Sequence, residues 1–288
     1  MSPRQLDTVV ISDVHLGTNF SRTDELEAYL RSIAPKRLIL NGDLVDIIQF
    51  RRGGWKAQHD RILQLVLGFA AAGVPVYYIT GNHDAALRTF SNVRFENLHL
   101  VDELELEIAG KRTWIHHGDR FDDELATPGW LHHFGAWWYD LFVDIDCLRD
   151  RLRLRAGKGR AQRRIAVWSK QFFPQVARHI ARFEEMCLHK AAERQVDQII
   201  CGHIHIPCQR HETVLGREVS YLNSGDWVDN LSALEFDGAD WTVASYAELL
   251  ARGAIVTAAA PEAPARPSLA MLAVMERISG RMPSAAPR

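Results

Sequence analysis

Five short polar blocks, each lying directly after an apolar run of strand length, constrain this chain more than any other feature. They are Asp13-Val14-His15, Gly42-Asp43, Gly81-Asn82-His83-Asp84, His117-Gly118-Asp119 and Gly202-His203-Ile204-His205. The runs before them, residues 8–11, 37–40, 76–80, 113–116 and 198–201, read as strands. Between the first three, residues 24–33 carry Leu26, Tyr29, Leu30 and Ile33 at helical spacing, with Thr23 as the expected N-cap. Residues 59–72 read as a second amphipathic helix, closed by Gly73 and Pro75. This β-α-β-α-β order predicts a largely parallel sheet with helices on its faces. Residues 104–108 and 113–116 flank Gly110-Lys111 and predict a hairpin. A long helical stretch follows over 128–194, and strand character returns at 198–201, 218–223, 232–236 and 241–245. The expected fold is an α/β sandwich with a helical insertion.

In open α/β sheets, ligands bind at the carboxyl ends of strands. Five polar blocks at five such ends therefore converge. Imidazole and carboxylate together suit Mn²⁺, Fe or Zn²⁺, whereas all-oxygen sites suit Mg²⁺ or Ca²⁺. In Asp13-x-His15 and His203-x-His205 the two side chains fall on one side of an extended segment, because strand side chains alternate. Both can then grip one ion. A lone carboxylate such as Asp43 can bridge two ions, and Asn82 offers a neutral carbonyl oxygen. Any one block alone reads as a turn or a surface pair; the ordered set reads as a metal site. His116 is the alternative to His117, and the position beside the Gly118 turn favours His117. Asp46 and Asp119 are outer partners of the site or turn caps. Asp122, Asp123, His59, His132 and His133 read as surface or helix-face residues.

The ordered set DxH, GD, GNHD, HGD, GHxH resembles the calcineurin-like metallophosphoesterases over about residues 7–245. The resemblance implies a calcineurin-like β-sandwich flanked by helices and a centre of two divalent metal ions, with Mn²⁺ expected and Fe or Zn²⁺ as alternatives. It implies that Asp13, His15, Asp43 and His205 hold one metal, and that Asp43, Asn82, His117 and His203 hold the other. Asp43 bridges. His83 binds phosphate and donates a proton, and Asp84 orients it.

Composition narrows the partners. Hydrophobic residues at 47% and charged residues at 24% suit a soluble globular chain. The formal net charge of −2 argues against whole-surface attraction to nucleic acid. The N-terminal residues lack an apolar signal stretch, and no run of 18 apolar residues predicts a membrane span. Cys147, Cys187, Cys201 and Cys208 fit neither a disulfide framework nor a CxxC knuckle. Reduced cysteines in a cytosolic protein are expected, with Cys201 packed at a strand end.

The expected insertion spans about 122–195. It carries an aromatic stripe through Phe134, Trp137, Trp138, Leu141 and Phe142, then a basic run that includes Arg160, Arg164 and Lys170. Pro174 is expected to open a helix bearing Val176, Ile180, Phe183 and Cys187. Such stripes pack onto a core, or they form a cap with an apolar groove and a basic rim that contacts phosphates or an anionic membrane. A helical insertion between HGD and GHxH resembles the UDP-2,3-diacylglucosamine pyrophosphatases, and the runs GDLVD, RRGGWKAQHD, GNHD, HHGDRFD, CGHIHIP and NSGDWVD look closest to the relatives of that enzyme. That branch cleaves a lipid-linked diphosphate at the cytosolic membrane face, releasing UMP and a lipid monosaccharide phosphate for lipid A assembly. On this resemblance Asn82, His83, Arg160, Arg164 and Lys170 contact substrate. This chain departs from the branch in carrying His83 where the pyrophosphatases carry Arg. Rival expectations are a phosphodiesterase of the same fold acting on a soluble nucleotide, another phospholipid or nucleic acid, and a metal-bound module without catalysis. Residues 1–255 make up the expected domain, and 256–288 an Ala/Pro-rich tail.

Overall fold

The computed structural model describes residues 2–121 and 174–255, with side chains in the second segment from residue 177. Most of the expected insertion, including Arg160, Arg164 and Lys170, lies outside the described residues, as does the 256–288 tail.

Two sheets stack face to face. The first contains β1 (Arg4–Ile11), β2 (Ile33–Asn41), β3 (Val76–Ile79), β4 (Val93–Phe95), β5 (Leu98–Val101), β11 (Ser232–Phe236) and β12 (Trp241–Ser245). Its order is β12-β11-β1-β2-β3-β5-β4. The second contains β6 (Glu103–Ile108), β7 (Lys111–His116), β8 (Gln198–Cys201), β9 (Cys208–Val214) and β10 (Arg217–Asn223), in the order β6-β7-β8-β10-β9. The predicted parallel set β1-β2-β3 is present, and so is the β6–β7 hairpin.

Strand side chains alternate between faces, and the alternation explains the three-layered interior. Val9 and Ile11 of β1 and Leu38 and Leu40 of β2 face outward, against Leu26, Tyr29 and Leu30 of α1 (Thr23–Arg31) and Ile62 and Val66 of α3 (Ala57–Ala71). Val10 and Ile39 point the other way. They meet Ile115, Ile200 and Leu222 of the second sheet in the inter-sheet core. On the far side, Trp114, Ile199, Val219 and Tyr221 pack against Phe183, Cys187 and Leu188 of α4 (Pro174–Glu193). The helix expected at Pro174 is therefore a sheet-covering element whose Phe183 and Cys187 are wholly buried, and its apolar stripe faces the sandwich. A short helix α5 (Tyr246–Ala251) follows β12.

Two local expectations are corrected. Thr23 is the first residue of α1, and Arg22 holds the cap position without a side-chain bond. Ile33 belongs to β2, where it is buried and pairs with Arg4. A one-turn helix, α2 (Ile47–Arg51), follows β2, and Asp46 caps it by accepting from the Gln49 N–H at 2.8 Å. Among the described residues, no helix is long and apolar enough to cross a membrane.

Candidate metal centre

All five polar blocks sit at one end of the sandwich, at the exits of β1, β2, β3, β7 and β8. The backbone there is unusual. Asp13, His15, Asp43, His203 and His205 all have positive φ, between 52° and 65°. Non-glycine residues adopt that region rarely, and it clusters where surrounding structure enforces it for function. Neighbouring backbone enforces it here: the N–H groups of Val14 and His15 both donate to the Asp43 carbonyl, at 3.0 and 2.9 Å. Glycine is required where chains crowd closest. A Cβ at Gly42 would collide with the His117 ring, and one at Gly81 with the Asp43 carboxylate.

The side chains converge as three overlapping groups: Asp13 with His15 and His205, His15 with Asp43 and His83, and Asp13 with Asp43 and His117. His205 Nε2 lies 3.1 Å from Asp13 Oδ1 and 3.4 Å from His15 Nε2. His117 Nε2 lies 3.2 Å from Asp43 Oδ2 and 3.9 Å from Asp13 Oδ1. His117 Nδ1 meets the Asn41 carbonyl at 2.9 Å. A carbonyl only accepts, so that nitrogen carries a proton, and in a neutral ring the Nε2 lone pair faces two carboxylates.

Asp13 Oδ1, His15 Nδ1 and His117 Nε2 are buried without hydrogen-bond partners. Buried orphan groups of this kind are costly unless something pairs with them. A divalent cation is the group that imidazole lone pairs and carboxylates together would accept, so the residues fit a metal centre.

The titration behaviour agrees. Burial opposes an imidazolium at His117, but Asp43 and Asp13 overcome it and raise its pKa well above 6.5. Burial also opposes charge on Asp13, yet His205 and His117 hold its carboxyl down at about 2. Burial similarly works against charge on Asp43, which His117 holds well below the ordinary carboxylate range. Burial itself pushes His15 down to about 4, leaving it neutral.

His83 stands beside this cluster, its ring 4.6 Å from that of His15 in an edge-on contact. Its backbone N–H donates to Asp43 Oδ1 at 2.8 Å. Its Nδ1 meets Asp46 Oδ2 at 3.0 Å. Burial disfavours charge on His83, but the bond to Asp46 and the charges of Asp43, Asp46 and Asp13 together outweigh it and raise the pKa. The carboxylate that orients His83 is therefore Asp46, in place of the expected Asp84. Asp84 is fully buried and accepts instead from Leu44 N at 3.0 Å, Tyr78 Oη at 2.7 Å and Gly81 N at 2.6 Å. Its two oxygens are taken up in tying the β2 exit to the β3 exit. Burial and the nearby Asp43 raise its pKa to about 6.

The choice between the adjacent histidines is resolved. His116 turns into the α4-side core, 4.5 Å from the Trp114 ring and 3.8 Å from Cys201 Sγ, while His117 turns into the site. Asn82 sits on the same turn as His83 and is exposed. His203 donates its N–H to Asp13 Oδ2 at 3.1 Å, and its ring lies 5.3 Å from that of His117. Asp119 pairs with Arg88, and buried His59 caps α3 by accepting from Lys56 N at 3.1 Å.

The sequence profile described as calcineurin-like phosphoesterase matches residues 6–207. The chain belongs to that family. This phosphoesterase is thus a hydrolase of a metal-dependent family, and its converging blocks are the candidate metal-binding groups. It is similar to the UDP-2,3-diacylglucosamine hydrolase of Stenotrophomonas maltophilia (strain R551-3), at 26% identity over 255 residues, covering 83% of this chain and 98% of the relative. A protein of the same name from Xanthomonas campestris pv. campestris is 26% identical over 249 residues, covering 81% and 96%. Among solved structures, a novel archaeal phosphodiesterase aligns with TM-score 0.38 at 12% identity, over 83% of this chain and 98% of that one.

Two contributors went unassigned in the sequence. Tyr78 lies inside a strand and gives no sign of its bond to Asp84. Asn223-Ser224-Gly225-Asp226, at the exit of β10, is a sixth polar block after an apolar run. Its Asp226 Oδ2 lies 3.6 Å from His205 Nδ1. The same rule that found the other five would have found it.

Proposed function

We propose that this phosphoesterase hydrolyses a lipid-linked diphosphate at a two-metal centre. The expected substrate is UDP-2,3-diacylglucosamine, and the products are UMP and the lipid monosaccharide phosphate. One observation carries the chemistry: carboxylates and imidazole lone pairs, several without protein partners, aim into one shared space. Asp13, His15, Asp43 and His205 would hold one cation. Asp43, Asn82, His117 and His203 would hold the other, with Mn²⁺ the expected metal. When bound, such a pair supplies positive charge to phosphoryl oxygens and acidifies water.

The remaining work falls to the chain's own groups. His83, with Nδ1 on Asp46, presents Nε2 as a donor, and the bond to Asp46 favours the protonated ring. From that position it meets charge developing on a phosphoryl oxygen and supplies a proton to the leaving group. Asp84 keeps the two loops that carry Asp43 and His83 at fixed separation.

The names of the relatives support the substrate, as do the runs that resemble the pyrophosphatase branch. A cytosolic enzyme working at the membrane face is the matching location, with the basic segment of Arg160, Arg164 and Lys170 proposed for the lipid-side phosphate. A second reading, hydrolysis of a soluble nucleotide diester, is favoured by His83 standing where that branch carries Arg. The experiment is to incubate Mn²⁺-reconstituted protein with UDP-2,3-diacylglucosamine and weigh the products. Release of UMP, abolished in Asp43→Ala, supports the first reading. Hydrolysis of an aryl phosphodiester without UMP release removes that substrate and favours the second.

A further inference from the structure

The loop after β10 braces the metal centre from behind. Trp227 is fully buried, its ring 5.0 Å from that of Tyr29, and its backbone N–H donates to the Asp13 carbonyl at 3.1 Å. Ser224 Oγ and Ser12 Oγ lie 2.7 Å apart, joining this loop to the β1 exit. Between these anchors sits Asp226, wholly buried. Its Oδ1 accepts from the N–H groups of Val228, Asp229 and Asn230 at 2.8, 2.5 and 3.0 Å. That bonding is a loop cap, and one oxygen accomplishes it.

The other oxygen does something different. Asp226 Oδ2 accepts from Asn230 Nδ2 at 2.8 Å and also faces His205 Nδ1 at 3.6 Å. The Asn230 amide in turn donates to the His205 carbonyl at 2.7 Å. His205 is thus gripped twice, at its ring by Asp226 and at its strained backbone, φ 56°, by Asn230.

We infer that Asp226 and Asn230 are positioning residues for one metal: they fix the ring of His205 so that its Nε2 points into the space shared with Asp13 and His15. Both ring nitrogens of His205 face a carboxylate; a cation held at Nε2 would take that nitrogen's lone pair and leave the ring proton on Nδ1, toward Asp226. Nε2 lies 3.1 Å from Asp13 Oδ1 and 3.4 Å from His15 Nε2, inside the candidate metal-binding group. A carboxylate behind a ligating imidazole also raises the ring's basicity and sharpens its aim. The inference rests on the two-metal reading.

Asp226→Asn is the informative variant. Its carbonyl oxygen still caps the three N–H groups, but its amide nitrogen points a donor at His205 Nδ1, which favours the tautomer with a proton on Nε2. Full-length metal-free protein is titrated with Mn²⁺ by calorimetry. The expected result is a loss of about 10- to 100-fold in affinity at one of two sites, the other unchanged. The same substitution in a His205→Ala background is expected to cost nothing further, because Asp226 acts through that ring. Melting of the metal-free variants reports whether they fold. Should Asp226→Asn not fold, Asn230→Ala replaces it in the cycle, since it leaves the Oδ1 cap intact. Equal losses with and without His205, or no loss in either background, overturn the inference while the metal reading stands. A wild-type chain that takes up no Mn²⁺ overturns both.

Discussion

His117 and His205 face the same carboxylate, Asp13, from neighbouring exits of one sheet, yet they are held in different ways. His117 is buried, and its Nδ1 is fixed by a main-chain carbonyl within β2. His205 is partly exposed, and its ring is steadied by the side chain of Asp226 on a loop. The difference separates a half of the site built into the sheet from a half that depends on side chains a mutation can remove. Backbone fixing comes with the fold. Side-chain fixing can be tuned, so the His205 half is where metal affinity is expected to respond most to substitutions that spare the sandwich.

The largest effect is expected at the residue both halves share. Asp43→Ala removes the carboxylate beside His117 and the acceptor of the His83 N–H. Activity should fall on the order of 10³-fold or more, beyond the loss from one charge-stabilising donor, with metal content falling in parallel by elemental analysis. Retention of both metals in that variant would break the comparison, since the halves would then share nothing.

Next comes His83→Ala. It takes away the proton donor but no proposed metal ligand, so metal content should stay at the wild-type level while turnover drops by roughly 10²–10³-fold. Wild-type turnover would refute the donor role. Asp46→Asn should produce a smaller loss, about 10- to 100-fold. It should also shift the alkaline limb of the pH–rate profile to lower pH, because the bond to Asp46 is the largest of the contributions that raise the His83 pKa against burial. An unmoved limb separates Asp46 from His83.

The smallest effect sharpens the comparison by pH. In metal-free protein, Asp43 and Asp13 raise the His117 pKa against burial. Its contribution to stability is fully present below the ordinary imidazole value of 6.5 and is lost as pH rises through the raised folded value. Asp13, held at about 2 from an ordinary 3.8, contributes above 3.8 and loses its contribution as pH falls through about 2. The joint contribution of these two groups to the melting temperature of metal-free protein should therefore be largest between about pH 4 and 6.5. Cation binding should release on the order of one proton. Calorimetry in buffers of different ionisation enthalpy reads that release, and its absence removes His117 as the proton's holder.

These predictions rest on parts of the molecule that were unequally legible in the sequence. The central strands β1, β2 and β3 were legible as apolar runs. Their assignment to one face or another was not, because both faces of β1 and β2 are buried and Val9-Val10-Ile11 carries no polar alternation. That is why the sequence predicts a sandwich without assigning each strand to its sheet. The edge strand β9 was missed because most of its residues are exposed and polar, and β4 because it has only three residues. At the site, residue types adjacent in sequence were readable, as in Asp13-x-His15. Partnerships across the fold were not. Asp84 lies next to His83 in sequence yet bonds away from it, whereas Asp46 reaches His83 from the β2 exit. The stripe of α4 takes the first of its two expected roles: it covers a sheet, as Phe183 shows by its burial.

The central claim is that two cations sit in the space Asp13, Asp43, His117 and His205 enclose. The most direct measurement is to strip the protein of metal, add back Mn²⁺, remove the excess, and count bound metal while assaying an aryl phosphodiester. The account predicts two Mn²⁺ per chain, with hydrolysis appearing as they bind and both lost together in Asp43→Ala. Hydrolysis that proceeds in fully stripped protein, or Mn²⁺ uptake unchanged in Asp43→Ala, would contradict it.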